Sequence, residues 1–304
     1  MQKAFIITVD TEGDNLWEYK GGAIGTRNAG FVQRFQTLCE RYGFKPVYLT
    51  NWEMANDQEF MAFCKETAKA GQCEIGLHVH AWNNPPEYEL PNRYGGNAYL
   101  VEYPENIMRE KLQSTLTLLK EATESDIVSH RAGRWAMNNT YFRLLGELGI
   151  KVDCSYTPGI SWLNSRGYSI EGGSDYTSVP NYTHKVHGIL EVPMTIRHIR
   201  HMSQGSIAHR CKTALRGETV WMRPAVSNVA QMKTIIRQCN RENGCDYVEF
   251  MIHSSELMPG GSPYFPTDRA VEGLYDNMSR VFEYAQQHGF AGHTLSEYQK
   301  AHQL

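Results

Sequence analysis

The chain has 304 residues, of which 41% are apolar and 21% charged, and its formal net charge is −3. This composition is ordinary for a soluble globular protein, and the length is compatible with a single α/β barrel. No run of Lys and Arg supplies the basic footprint that nucleic-acid binding needs, and no stretch approaches the roughly 18 apolar residues of a membrane span.

The start of the chain and its cysteines predict where the protein is located. The first apolar segment, residues 4–9, is too short for the core of a signal peptide and lacks a cleavage pattern. The seven cysteines show no Cys-x-x-Cys spacing, which predicts free thiols in a reducing compartment. We therefore expect a cytoplasmic protein.

Strand-like and helix-like segments alternate along most of the chain. Short β-branched or apolar runs predict strands, and apolar residues three and four positions apart predict helices. The predicted strands are residues 4–9, 45–50, 73–77, 127–129, 150–154, 189–192 and 247–252. The predicted helices lie around residues 31–42, 51–71, 105–123, 229–239 and 271–285, with a further helix ending at Gly149.

This alternation predicts a mainly parallel sheet, either a closed barrel or an open doubly wound sheet. Two segments, residues 156–188 and 197–227, interrupt the rhythm and are expected to be long, irregular insertions of the kind that form functional loops or lids. No internal repeat, low-complexity tract or linker is visible. We therefore predict one domain over residues 1–304.

Polar side chains follow four of the predicted strands. They are Asp10 and Glu12 after the first strand, His78 and His80 after the third, Arg131 after the fourth, and His253 after a late one. The carboxyl ends of parallel strands converge on one face, so these residues are expected to meet. Carboxylate and imidazole ligands with an additional acid–base pair are typical of metal-assisted hydrolysis.

Each of these residues also has a structural interpretation. Asp10 and Glu12 could cap a turn, and the two histidines could be solvated loop residues. Arg131 could belong to a structural ion pair. Their joint position, each directly after an apolar strand, favours the functional interpretation.

The motifs resemble those of the polysaccharide deacetylase superfamily, carbohydrate esterase family four, over about residues 3–295. Residues 8–12, Thr-Val-Asp-Thr-Glu, are similar to the Thr-Phe-Asp-Asp-Gly motif of that family, and residues 74–78 match its Glu-Ile-Gly-x-His motif. Trp82 occupies the position of the second family histidine, and His80 lies between it and His78. These departures indicate a divergent branch, similar to deacetylases of surface-glycan biosynthesis.

Three further positions carry the resemblance. Arg131 matches the arginine of the third family motif, Asp153 is similar to the aspartate of the fourth, and His253 matches the late histidine. The resemblance implies a distorted, incomplete (β/α) barrel of about seven parallel strands. It also implies hydrolysis of the acetamido group of an N-acetylated sugar.

The resemblance further implies a role for each site residue. A divalent metal, most simply Zn²⁺, would be held by Glu12 and the histidines and would polarise water and the acetyl carbonyl. Asp10 would be the general base, kept ionised by Arg131. His253 would be the general acid, and Asp153 would orient the ring of His253.

Two arrangements of the second histidine ligand remain open. If residues 77–81 stay extended, His78 and His80 point the same way and both can reach one ion, with Glu12 from the first strand. If the chain turns after His78, His80 faces solvent, and Asp14 or a later histidine completes the site.

Two other functions also remain open: hydrolysis of a non-sugar C–N bond on the same fold, and glycan binding without turnover. One fold hosts many chemistries, so the fold alone does not separate them. The expected substrate is an N-acetylated sugar in a small or lipid-linked intermediate. The sequence gives neither the identity of the sugar nor the oligomeric state.

Overall fold

Each of the seven predicted strands is present in the computed structural model, with bounds within three residues of the prediction, and four further strands lie in the described residues. The structure describes residues 2–14, 16–17, 19, 21–200, 206–225 and 228–302, and only the backbone of 208–212. The strands are Ala4–Thr11 (β1), Pro46–Thr50 (β2), Glu74–Val79 (β3), Ser129–Ala132 (β4), Val152–Asp153 (β5), His184–Val186 (β6), Ile189–Glu191 (β7), Ile196–Ile199 (β8), Glu218–Trp221 (β9), Tyr247–His253 (β10) and Ala291–Gly292 (β11).

The helices alternate with these strands. They are Ala29–Arg41 (α1), Trp52–Ala55 (α2), Gln58–Lys69 (α3), Glu105–Thr123 (α4), Asn139–Glu147 (α5), Ile207–Arg216 (α6), Val229–Arg241 (α7), Asp268–Gln287 (α8) and Leu295–Ala301 (α9). Side-chain caps fix several of their starts: Asp57 accepts from the backbone of Phe60 at α3, and Asn138 accepts from that of Tyr141 at α5. After α5 the chain turns at Gly149, whose φ of 92° favours glycine.

The main sheet has the strand order β10-β1-β2-β3-β4-β5-β7-β6. Every pairing from β10 to β7 is parallel, and β6 pairs with β7 in the antiparallel direction. The sheet is curled, and β10 and β6 stand at opposite ends of its order, so the barrel is incomplete. The predicted incomplete barrel of about seven parallel strands is confirmed.

The two faces of the sheet carry different residues, because successive side chains of a strand point to opposite sides. In β1, Phe5 and Ile7 pack in the large core that includes the helices. Ile6 packs on the other face in a smaller cluster with Val152 of β5. Thr8 and Asp10 share that inner face by alternation, which places polar groups inside the barrel near the carboxyl ends of the strands.

The segment 197–227 is more regular than predicted. It contains α6 and most of an antiparallel pair, β8 with β9, so the expectation of an irregular insertion is wrong there. Strands β8 and β9 have only four residues each, which is too short for the alternation of apolar and polar residues that predicts a strand. Residues 156–188 do form a long segment, and the three-residue strand β6 is the regular element named in it. The assignment of residues 1–304 to a single domain stays a prediction.

Two observations relate to the expected location. Cys239 and Cys245 form a disulfide, so the prediction of free thiols throughout is wrong. Four others, Cys39, Cys64, Cys73 and Cys154, are free and buried, whereas the Cys211 side chain lies outside the described part. Among the described residues, no helix is long and apolar enough to cross a bilayer. The cytoplasmic location stays a prediction.

Candidate metal and acid–base site

Glu12, His78 and His80 meet at the carboxyl ends of β1 and β3 and form what we call the acid–imidazole cluster. The Nε2 atoms of the two histidines are 3.1 Å apart. Glu12 Oε2 lies 2.6 Å from His80 Nε2 and 3.5 Å from His78 Nε2. All three residues are buried, and their ligand atoms lie within 4.8 Å of one another. The cluster has the donors and the spacing of a site for one divalent cation.

The orientation of His78 is fixed by the neighbouring strand. Its Nδ1 atom lies 2.9 Å from the carbonyl oxygen of Arg131, to which only a protonated Nδ1 can donate. In the neutral form of this ring, the Nε2 lone pair then points at Glu12 and His80. A ligand histidine whose other nitrogen donates to a carbonyl is the usual second-shell arrangement of protein metal sites.

His80 lies on the same side of the extended chain as His78. It is 8% exposed, and its ring lies against Trp82 with 4.5 Å between the ring centroids. Asp14, the competing ligand, instead pairs with Arg27 at 2.9 Å. The structure therefore brings together the predicted pair, His78 and His80, and contradicts the arrangement in which His80 faces solvent.

The electrostatics of the cluster are those of a cation site. Burial would raise the pKa of Glu12, but His80 and His78 outweigh it and hold that pKa well below its ordinary value. Burial lowers the pKa of His80, despite the opposing charge of Glu12. Burial would also lower the pKa of His78, but Asp10 and Glu12 outweigh it and raise that pKa above its ordinary value. The carboxylate of Glu12 and the neutral imidazole of His80 are protonation states that bind a metal ion, and His78 binds one only in its neutral form.

Asp10 lies beside this cluster and is held by a buried arginine. Arg131 Nη1 donates to Asp10 Oδ1 at 2.6 Å, and its Nη2 pairs with Glu249 of β10. Burial alone would raise the pKa of Asp10, but the charges of Arg131, His78 and His253 lower it below its ordinary value. The predicted contact between Arg131 and Asp10 is confirmed, and Asp10 is ionised at neutral pH.

Glu249 is a second buried carboxylate on Arg131 that the sequence motifs do not mark. Burial raises its pKa to about 7, against the opposing charge of Arg131. Because this pKa is raised, the folded state prefers the protonated form. The contribution of Glu249 to stability therefore falls as pH rises from the unfolded pKa through about 7.

This behaviour predicts a pH-dependent difference between the parent protein and Glu249→Gln. Between pH 6 and 8.5 the parent should lose about 1.4 kcal/mol of unfolding free energy that the variant keeps, since one pKa unit corresponds to about 1.4 kcal/mol. Urea denaturation of both proteins at the two pH values measures the difference. An equal pH dependence for the two proteins would show that Glu249 does not titrate in this range.

His253 closes the site from β10, where it lies opposite Asp10 in the strand register. Its Nε2 atom is 3.8 Å from Asp10 Oδ2 and 3.9 Å from Glu12 Oε1. Its Nδ1 atom is 3.2 Å from Glu256 Oε2, which also accepts the backbone N–H of His253 at 2.9 Å. Glu256 is fully buried, and Arg223 binds its other oxygen at 3.0 Å. The carboxylate that orients His253 is therefore Glu256.

The predicted role of Asp153 as the partner of His253 is wrong. Asp153 Oδ1 is 2.6 Å from His130 Nδ1, and its other contacts include the backbone and hydroxyl of Ser155. His130 in turn contacts Tyr141 of α5, on the helix-covered face of the sheet. Val152 and Cys154 occupy the inner face, so strand alternation turns Asp153 away from the barrel interior.

Sequence reasoning also missed Glu256, although it lies three residues after His253. Residues 254–257 form a single 3₁₀ turn, and such a turn brings positions three apart together. A His-x-x-Glu pattern at the end of a predicted strand was the available signal. The contact of Arg223 with Glu256 had no such signal, because it joins distant parts of the chain.

Comparisons with known proteins agree with this fold. No family model matches the sequence, and no curated protein is significantly similar to it. A proposed polysaccharide deacetylase from Mycobacterium smegmatis matches with 14% identity and a TM-score of 0.53, over 100% of this chain and 93% of the other. The 4-α-glucanotransferase of Thermococcus litoralis matches with 13% identity and a TM-score of 0.55, over 99% of this chain and 40% of the other.

A third solved structure is the carbohydrate esterase family 4 domain of a multidomain xylanase from the hindgut metagenome of Trinervitermes trinervoides. It has 12% identity and a TM-score of 0.48, over 100% of this chain and 93% of that domain. As the sequence resemblance implied, a polysaccharide deacetylase structure is among the neighbours with a TM-score above 0.5. At these identities the likeness establishes the fold alone.

Proposed function

We propose that the protein is a metal-dependent hydrolase that removes the acetyl group from an N-acetylated sugar. The observation that carries this proposal is the meeting of the acid–imidazole cluster with Asp10 on one side and His253 on the other. A cation site flanked by a carboxylate and an imidazole has every group that hydrolysis of an amide needs. The proposed polysaccharide deacetylase among the solved structures with this fold supports the choice of an acetamido group.

The residues of the acid–imidazole cluster fit a divalent cation. Three buried ligand atoms of two types converge, and the Nε2 lone pair of His78 is directed by the carbonyl of Arg131. Two imidazoles with one carboxylate is a common ligand set of catalytic zinc, so we propose Zn²⁺ as the ion. When bound, such an ion supplies Lewis-acid polarisation of a carbonyl and of water.

Asp10 and His253 divide the proton transfers between them. Asp10, ionised and fixed by Arg131, takes the proton of the water whose oxygen attacks the acetyl carbon. His253 gives a proton from Nε2 to the sugar nitrogen as the C–N bond breaks, which releases acetate and the free amine. Glu256 contacts the Nδ1 side of that ring and fixes its orientation.

The fold does not by itself choose this reaction, because a glucanotransferase shares it. Two alternatives, a non-sugar amide substrate and glycan binding without turnover, are therefore tested in the same experiments that measure metal binding. We propose that the sugar belongs to an intermediate of surface-glycan synthesis, which rests on the sequence resemblance.

The proposal predicts about one divalent ion per chain and release of acetate from N-acetylated sugars. His80→Ala should weaken metal affinity at least about tenfold, because one of three protein ligands is lost. His184→Ala is the matched control, since His184 lies in β6 at the far end of the sheet order, and its ring contacts Tyr182 and Tyr156. Metal is measured by mass spectrometry and competition with a chelator, and acetate by an enzymatic assay on a panel of N-acetylated sugars.

The outcomes separate the candidate functions. A protein that binds the metal and releases acetate from an N-acetylated sugar supports the deacetylase. A protein that binds the metal and hydrolyses a cyclic amide, but releases no acetate from any sugar, supports the non-sugar hydrolase. A chain that binds no metal after reconstitution contradicts the proposal, and a His80→Ala variant that binds metal as tightly as the parent removes His80 from the ligand set.

A further inference from the structure

Helix α6 exposes two aliphatic side chains on one face. Apolar residues stand at positions 207, 208, 211, 214 and 215, which is the spacing of one face of a helix. Ile207 is 79% exposed and Leu215 is 74% exposed, the two highest values among the large apolar side chains that the structure describes. Thr213, on the opposite side of the helix, is buried. Single exposed apolar residues are common, but two on one helix face indicate a contact surface.

The hairpin that carries α6 is basic. From the start of β8 to the end of β9, residues 196–221, the sequence has one acidic residue, Glu218, and five Lys and Arg residues, whereas the whole chain has a net charge of −3. The five are Arg197, Arg200, Arg210, Lys212 and Arg216. Arg200 directly follows β8, Arg216 ends α6, and both are exposed. Positive charge is therefore concentrated in the segment that exposes Ile207 and Leu215.

The charges distinguish the partners that could cover this face. A second copy of the chain would bring two basic faces together, which like-charge repulsion opposes. Nucleic acid would neutralise the arginines, but its phosphates offer no apolar environment to an isoleucine or a leucine. An anionic lipid surface provides both, because its headgroups attract Lys and Arg and its acyl boundary receives aliphatic side chains.

We propose that α6 docks on the surface of an anionic membrane, with Ile207 and Leu215 inserted at the boundary between headgroups and acyl chains. The helix lies in the plane of the interface, as basic amphipathic helices do. The inference does not depend on the proposed function, but it bears on the substrate. Strand β9 begins two residues after α6 and lines the cleft that borders His253. Docking through α6 brings that cleft towards the lipid surface, where a lipid-linked sugar is presented.

The test measures binding of the protein to lipid vesicles by co-sedimentation. The vesicles contain phosphatidylcholine alone, or phosphatidylcholine with an equal amount of phosphatidylglycerol. We expect at least about tenfold tighter binding to the anionic vesicles, with a difference that shrinks as salt is added. The double variant Ile207→Ser/Leu215→Ser should bind the anionic vesicles at least about tenfold more weakly than the parent. Arg200→Gln/Arg216→Gln should show a loss of about the same size.

Two controls separate loss of membrane binding from a general effect of surface substitution. Ile207→Leu/Leu215→Met keeps both side chains apolar and should bind the anionic vesicles as the parent does. Tyr88→Ser removes a ring that is 44% exposed in the segment between β3 and α4, and it should leave vesicle affinity unchanged.

Three results would each overturn the inference: no binding of the parent to anionic vesicles, equal affinity for the two kinds of vesicle, or parental affinity in the Ile207→Ser/Leu215→Ser protein. A dimer that this double variant dissociates, without vesicle binding, would assign the face to a second copy. Binding of duplex DNA without vesicle binding would assign it to nucleic acid. Release of acetate is not measured here, so the inference and the proposed function can fail separately.

Discussion

Asp10→Asn is expected to lower acetate release about 10²–10⁴-fold while the fold and the bound metal are retained. An amide of nearly the same size can still accept the hydrogen bond from Arg131, but it cannot take a proton from water. Arg131 also keeps Glu249 as a charged or hydrogen-bonding partner, so the buried guanidinium is not left alone. The loss should appear in kcat, with metal content close to one per chain.

Asp14→Asn is the matched control for this prediction. Asp14 is a buried aspartate just after β1, but its carboxylate accepts hydrogen bonds from the side chain and the backbone N–H of Arg27. Its replacement should leave kcat within a small factor of the parent value. If Asp10→Asn retains near-parental turnover, or if it loses its metal, Asp10 is not the general base.

The main features of the site could be predicted because they follow from chain order. A buried strand such as β1 has a strong apolar signal, and parallel strands bring their carboxyl ends to one face. Asp10, Glu12 and His78 therefore had to lie close together once the strands were identified. The pairing of His80 with His78 followed from the two-residue period of an extended chain.

The error at Asp153 shows where that reasoning fails. β5 has only two residues, so its sequence shows no alternation from which to assign a face. A one-residue difference moves a side chain from the interior of the barrel to the helix-covered face. The family resemblance identified Asp153 from its position in the chain, but it did not determine which face of the sheet the Asp153 side chain lies on.

A cleft lined by five large aromatic rings lies beside His253, and it could not be predicted for another reason. Its rings come from residues 17, 135, 162, 221 and 264, which lie in loops and at strand ends far apart in the chain. No periodicity relates such positions, and tryptophans are more often part of the core. Their meeting depends on the tertiary path of the long segments around residues 156–188 and 197–225.

The reassignment of the partner of His253 gives the second large prediction. Glu256→Gln should lower kcat about 10²-fold or more, with KM and metal content little changed, because the imidazolium loses its charged partner and its ring orientation. Arg223 should remain in place, since a glutamine oxygen can still accept its hydrogen bond. Steady-state kinetics with the metal-loaded variant measure the separation of kcat from KM.

Asp153→Asn provides the contrasting outcome, because it changes the carboxylate that the resemblance favoured. Asp153 is fully buried, and its carboxylate accepts hydrogen bonds from His130 and Ser155, so the variant should lose stability; leaving a buried hydrogen-bonding group without its partner costs about 1–3 kcal/mol. The kcat of its folded fraction should stay within about twofold of the parent, since no catalytic group loses a contact. The reverse pattern, a stable Asp153→Asn with little kcat beside an active Glu256→Gln, would return the positioning role to Asp153. The two variants differ from the parent by the same carboxylate-to-amide change, so the comparison isolates which of the two carboxylates acts through His253.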